Sequence, residues 1–203
     1  MTGDYTTDIL PDRVKATKAK WQLHIDDRLD KARHRADQRK QRLPGWPLLC
    51  LVGMGRAGKD TSAIYLCDKL GLQYESTSKT VLPYIADSIG VPQEMAYAER
   101  HQHREFWKAW CDEFRRGQPL LLAQLSLAEG DMVVGVRGAP EFHAVRRELV
   151  DCTLWIDNPR VPPDFTVDFG AVDCDFMVPN HAGITQLYER LDKLITLFTT
   201  RSK

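Results

Sequence analysis

The sequence predicts an α/β protein with a mostly parallel sheet of about five strands, helices on both faces and a helical N-terminal extension. Two observations carry that expectation. Short apolar runs at 48–52, 131–136 and 152–156 alternate with longer stretches of helical periodicity. A glycine-rich turn joins the first of these runs to the helix after it, the layout of a parallel-sheet βα unit. The chain has 203 residues, 43% of them hydrophobic, which suits one core-forming domain (46–203) behind an extension (1–45).

Residues 1–11 are polar and are expected to fray. Residues 12–42 contain no Gly or Pro and hold eleven Lys/Arg against five Asp, a net charge of +6. Residues 1–11 carry −2 and residues 43–203 carry −4, so a formal net charge of zero conceals a basic segment on a mildly acidic body. The segment predicts one long helix with a thin apolar stripe of Trp21, Leu23, Ile25 and Leu29. Its outer face, with Arg28, Lys31, Arg33, Arg35, Arg39, Lys40 and Arg42, is either solvated or in contact with a phosphate backbone.

The first strand runs into Gly53-Met54-Gly55-Arg56-Ala57-Gly58-Lys59-Asp60-Thr61. The spacing Gly53-x4-Gly58-Lys59 fits a P-loop. Glycines let successive backbone N–H groups face one concavity, the helix start adds its positive dipole end, and Lys59 reaches the outer phosphates of a nucleoside triphosphate. These nine residues are the expected ATP site. The position after the lysine usually carries a Ser or Thr hydroxyl for Mg²⁺. Here it is Asp60, with Thr61 next; a carboxylate is also a hard-oxygen ligand, so both are candidate Mg²⁺ ligands.

The helix after the P-loop covers 61–70 and stops at Gly71. A second strand at 72–75 leads into Ser76-Thr77-Ser78-Lys79 and a helix over 79–89. Hydroxyls at that junction suit an oxyanion, or one of them caps the helix. A long helix over 93–116 places Arg100 and Arg104 on one face with Tyr97 and Trp107, either a surface for a ligand bearing a phosphate and a flat base or a surface helix with a packed aromatic stripe on its other side. His101 and His103, two apart, diverge on a helix and are not expected to share a metal.

A helix over 120–128 precedes the third strand, 131–136, which ends in Arg137-Gly138-Ala139-Pro140-Glu141. An acidic metal ligand often ends such a strand, but Gly135 and Arg137 stand there. Arg137 contacts a ligand at the strand's carboxyl end, pairs with Glu141, or does both. The remaining elements are a helix over 141–150, a strand at 152–156, an aperiodic stretch over 159–170 that could close over a nucleotide, a strand at 176–178 and a helix over 184–198.

No apolar run is long enough for a membrane helix, and residues 1–10 lack a signal-peptide layout. The five cysteines show no Cys-x-x-Cys spacing and read as reduced thiols of a cytoplasmic protein. A P-loop in this setting implies an NTP-dependent phosphotransferase or an NTPase.

Several pieces together resemble one family: Gly55-Arg56-Ala57-Gly58-Lys59-Asp60-Thr61, Ser76-Thr77-Ser78, Tyr97-x-x-Arg100-x-x-x-Arg104-x-x-Trp107, and Val134-Gly135-Val136-Arg137-x-x-x-Glu141. Trp155-Ile156-Asp157 followed by Arg160, and Asp173-x-Asp175-Phe176-x-Val178-x-Asn180, complete the set. Over about residues 47–197 the chain resembles the P-loop nucleotide kinases of tailed bacteriophages. It is similar to their deoxynucleoside monophosphate kinases, and more so to the branch that phosphorylates 5-hydroxymethyluracil within DNA during thymidine hypermodification. Monophosphate kinases of this type usually carry Asp where Gly135 stands, and that departure favours the DNA-kinase branch.

The resemblance implies a P-loop kinase domain in the host cytoplasm with ATP as donor and Mg²⁺ as cofactor. Lys59, Arg56, Arg137 and Arg160 would stabilise the transferring phosphoryl group. Ser76, Ser78, Lys79, Tyr97, Arg100, Arg104 and Arg137 would bind the acceptor. An alcohol acceptor needs a base, and Glu75, Asp87, Glu99 and Glu141 are candidates. If the acceptor is instead a free dNMP, Arg100, Arg104 and Arg137 would clamp its phosphate. The third alternative is an NTPase or switch without an acceptor.

Overall fold

The computed structural model of the protein describes residues 3–201. Residues 1–2, part of the stretch expected to fray, and 202–203 lie outside the described residues. Five parallel strands form one sheet in the order β2-β3-β1-β4-β5: β1 (Leu49–Val52), β2 (Glu75–Ser76), β3 (Val133–Val134), β4 (Cys152–Asp157) and β5 (Phe176–Pro179). The expected α/β class is therefore observed, in a form compatible with a P-loop-type fold.

Alternation along the strands sorts two cores. Leu49, Leu51, Leu154 and Ile156 face α3 (Lys59–Leu70) and α9 (Ile184–Arg201). Cys50, Val52 and Trp155 face the opposite way, toward α7 (Leu121–Leu127) and α8 (Ala139–Glu148). The first strand is central and buried at every position, which is why it reads as an unbroken apolar run rather than an alternating one. From β1 the chain crosses to edge strand β2, returns to β3, and then passes to β4 on the other side of β1. The loops at the carboxyl ends of β1, β2 and β3 thereby meet beside that crossing, where open parallel sheets place ligands.

A third cluster joins the N-terminal helices to the body. Leu10 and Val14 of α1 (Leu10–Lys20) and Ile25 of α2 (Gln22–Arg42) share a core with Tyr84 of α4 (Thr77–Ile89) and Trp110 and Phe114 of α6 (Arg104–Phe114). The single helix expected over 12–42 is two, parted at Trp21. The Trp21 indole donates to Asp87 Oδ2 at 3.1 Å and packs edge-on against Tyr84, so a tertiary anchor sets the break. The segment after residue 2 is also not free: Tyr5 donates to Glu99 Oε2 at 2.9 Å and stacks on His103 at 3.5 Å.

The helix expected over 93–116 is likewise two, α5 (Gln93–Glu99) and α6. Arg100 lies over the Tyr97 ring at 3.7 Å and donates to the Tyr97 carbonyl at 2.7 Å, which occupies the end of α5. Arg100 and Arg104 therefore flank a turn instead of sharing a helix face. Strand β2 is shorter than expected, because α4 begins at Thr77. No described helix is long and apolar enough to cross a membrane.

Candidate active site

The P-loop follows β1 and ends at the N-terminus of α3. Asn180, just after β5, donates Nδ2 to the Ala57 carbonyl at 2.8 Å and ties the loop to the far side of the sheet. Lys59 is buried and folds over the loop, donating to the carbonyls of Gly53 at 2.9 Å and Met54 at 2.7 Å. Burial, then the nearby Arg137, lower its pKa to about 8. Arg56 has φ 64, the only positive φ at a non-glycine among the described residues. Such a conformation persists where surrounding structure enforces it, often at functional sites.

Beside the loop lies a cavity of about 250 Å³ walled by the carboxyl ends of β2 and β3 and by α4, α5 and α6. Its wall carries Arg56, Lys59, Arg100, Arg104, Lys108, Arg115 and Arg137 against the two carboxylates Asp60 and Glu141. Burial first, and then the charges of Arg100, Arg104, Arg56 and Arg137, lower the His101 pKa. Ser76, Ser78 and Tyr97 also line it. Lys79 and Arg160, expected at the acceptor and catalytic positions, are exposed and are not part of this wall.

Neither Arg104 nor Arg137 stands alone. Arg137 Nη1 donates to Asp164 Oδ2 at 2.7 Å and to Thr166 Oγ1 at 2.6 Å, and Arg104 Nη1 donates to the same Asp164 oxygen. Burial alone would raise the Asp164 pKa, but hydrogen bonds from Thr166 and Arg137 and the charge of Arg137 hold it well below the usual carboxylate range. Asp164 also explains Gly55: a Cβ there would lie 2.7 Å from Asp164 Oδ2 and 2.6 Å from Arg104 Nη1. The Arg137 guanidinium thus turns to Asp164 and not to Glu141, whose carboxyl interacts with Arg137 through the backbone N–H alone. Glu141 pairs with Arg115 of the segment after α6, Nη1 to Oε2 at 3.0 Å.

No protein-family model and no curated protein matches the chain. Its chemistry has to be read from the site.

Glu141 is 2% exposed, at the first turn of α8, and burial pushes its pKa up to about 7 against the pull of Arg115. Its Oε1 is buried without a hydrogen-bond partner, as is Nε1 of Trp107, and both residues line the cavity. A buried acceptor and a buried donor left unpaired on one cavity wall are groups that a polar ligand would satisfy. The other three candidate bases are engaged elsewhere. Glu75 accepts from Arg28 at 2.5 Å and Thr80 at 2.9 Å, Asp87 from Lys20 and Trp21, and Glu99 from Tyr5.

Gly135, where an acid might have stood, has φ 96, and its carbonyl accepts from Thr77 Oγ1 at 3.0 Å. An Asp side chain would be strained there. Among the described residues no cluster of three or more His, Cys, Asp and Glu could cage a metal. Mg²⁺ needs no such cage, since one or two carboxylates with phosphate oxygens and water suffice. Asp60, exposed on the cavity wall next to Lys59, fits that donor set; Thr61 is half-buried and off the wall.

The sequence named most of these groups but not Asp164, Thr166 or Arg115, whose roles depend on contacts between distant segments. The only signal was the aperiodic stretch that contains Asp164.

Proposed function

We propose that the protein is an ATP-dependent kinase that phosphorylates the hydroxymethyl oxygen of 5-hydroxymethyl-deoxyuridine in phage DNA. The observation that supports it most is the buried, cavity-lining Glu141 with a pKa near 7. An alcohol must lose its proton as it attacks, and a base poised near the working pH does this best. A phosphate acceptor needs no such base. The nature of the alcohol, a modified uracil in DNA, rests on the resemblance in sequence.

In this reading the P-loop amides and Lys59 hold the donor's phosphates. Mg²⁺, which Asp60 would help hold, neutralises charge on those phosphates when bound. Glu141 takes the acceptor's proton through Oε1. The acceptor oxygen bonds to the γ-phosphorus as the bond to the β–γ bridging oxygen breaks, leaving ADP. Arg137, Arg104 and Arg56 stabilise charge on the transferring group. A nucleobase stacked in a duplex would have to be extruded to reach the cavity, whose wall includes Tyr97 and Trp107.

A second reading, a deoxynucleoside monophosphate kinase, draws on the convergence of Arg56, Arg100, Arg104 and Arg137 on one cavity. They could clamp an acceptor's phosphate. Offering γ-labelled ATP with 5-hydroxymethyluracil DNA and a panel of free dNMPs separates the readings. Label in DNA is expected. Label only in dNDP overturns the proposal, and release of labelled phosphate alone indicates an NTPase without an acceptor.

A further inference from the structure

Among all the Phe, Trp and Tyr side chains of the described residues, Phe165 alone is exposed, at 70%. Its neighbours are the reverse: Asp164, Thr166 and Val167 are buried. The turn is closed by the Val167 N–H donating to the Asp164 carbonyl at 2.9 Å, and Thr166 Oγ1 donates to Asp164 Oδ1 at 2.6 Å. Asp164 and Thr166 are themselves held by Arg137 on the cavity wall. Pro162 and Pro163 stiffen the approach. A large aromatic ring is therefore displayed to solvent on a turn locked at both sides, next in sequence to Thr166, which lines the cavity. The cavity wall carries the exposed Arg56 of the P-loop and Arg100, cations that complement a phosphodiester backbone.

We propose that Phe165 is a wedge that fills the gap in the base stack when a target nucleotide is extruded from double-stranded DNA into the cavity. The inference rests on the DNA-kinase reading and deepens it: the acceptor is a duplex. A cavity of about 250 Å³ falls just below the range of roughly 300–1,000 Å³ usual for small-ligand sites, so it takes one nucleotide unit and not a stacked pair. Unstacking is costly, and proteins that act on or bend duplexes meet that cost by inserting apolar side chains between base steps.

The test compares the full-length protein with Phe165→Ala and Phe165→Trp, using γ-labelled ATP and an oligonucleotide carrying one 5-hydroxymethyluracil, single-stranded or annealed. Phe165→Ala is expected to lower kcat/KM on the duplex by about tenfold or more, with the single strand and the KM for ATP held within about twofold; Phe165→Trp retains duplex turnover. Equal losses on both forms, or an unchanged duplex rate, overturn the wedge. A raised KM for ATP also overturns it, placing Phe165 against the donor's adenine. A wild-type protein that labels neither oligonucleotide overturns the DNA-kinase reading, and the wedge with it.

Discussion

Helix α2 and the cavity wall are both rich in arginine, and the partners of those arginines differ. On α2, Arg28 reaches Glu75 at 2.5 Å, Lys31 reaches Glu129 at 2.7 Å, and Arg35 and Arg42 reach the buried Asp131 at 3.3 and 2.8 Å. Arg39 is buried and donates to the Trp46 carbonyl at 3.0 Å. Of the seven cations on that helix, five have partners on the body, Lys31 and Arg42 while themselves exposed; Arg33 is exposed beside Asp30, and Lys40 is exposed. Around the cavity four of the seven cations also have acids: Arg104 and Arg137 share Asp164, and Lys108 and Arg115 share Asp112, with Arg115 also meeting Glu141, whereas Arg56, Lys59 and Arg100 make no ion pair among the described residues. The cations of α2 mostly meet acids and carbonyls of the body, while Arg56, Lys59 and Arg100 on the cavity wall have no such acid partner and are the ones open to an anionic ligand. Charge density in a sequence does not separate these cases; the location of the compensating acids does.

Lys59→Ala should produce the largest effect on the cavity side, a loss of transfer of roughly 10³-fold, read as labelled product per unit time. Retained activity would mean that the loop does not hold the donor. Arg137→Ala should cost roughly 10²-fold in kcat. If it lowers only stability, the arginine is there for Asp164 alone.

The other side of the comparison is tested by Arg28→Ala, which leaves Glu75 without its ion-pair partner. It should destabilise by about 2 kcal/mol, or roughly 5 °C in Tm, while kcat stays within about twofold. A fall in DNA turnover with unchanged melting would break the distinction, because α2 would then be a backbone contact. The smallest effect is expected from Arg33→Ala with Lys40→Ala, within about 0.5 kcal/mol in stability. A marked drop in the salt dependence of DNA binding for that pair would restore the outer face of α2 as an interface.

The P-loop was legible because all its information is local: an apolar run, glycines at fixed offsets, a lysine and a helix start. The sheet was legible for the same reason. The breaks at Trp21 and at residues 100–103 were not, since Asp87, Tyr84 and Tyr5, distant in sequence, anchor the residues around them. The proposed base shows the limit most clearly. Sequence offered four carboxylates of equal standing, and their burial, place and partners distinguish them: Arg28 and Thr80 engage Glu75, Lys20 and Trp21 engage Asp87, and Tyr5 engages Glu99, all three off the cavity wall. Of the four, Glu141 alone lines the cavity, and its Oε1 is buried without a hydrogen-bond partner.

The central claim is that the acceptor is an alcohol whose proton passes to Glu141. The pH dependence of kcat on a single-stranded 5-hydroxymethyluracil oligonucleotide, wild type against Glu141→Gln, tests it most directly. Burial raises the Glu141 pKa to about 7, and a base acts only when ionised. Wild-type kcat should therefore climb about tenfold per pH unit below that value and level off above it, with the Gln variant roughly 10²-fold slower and flat. Superimposable profiles for the two proteins would contradict the account.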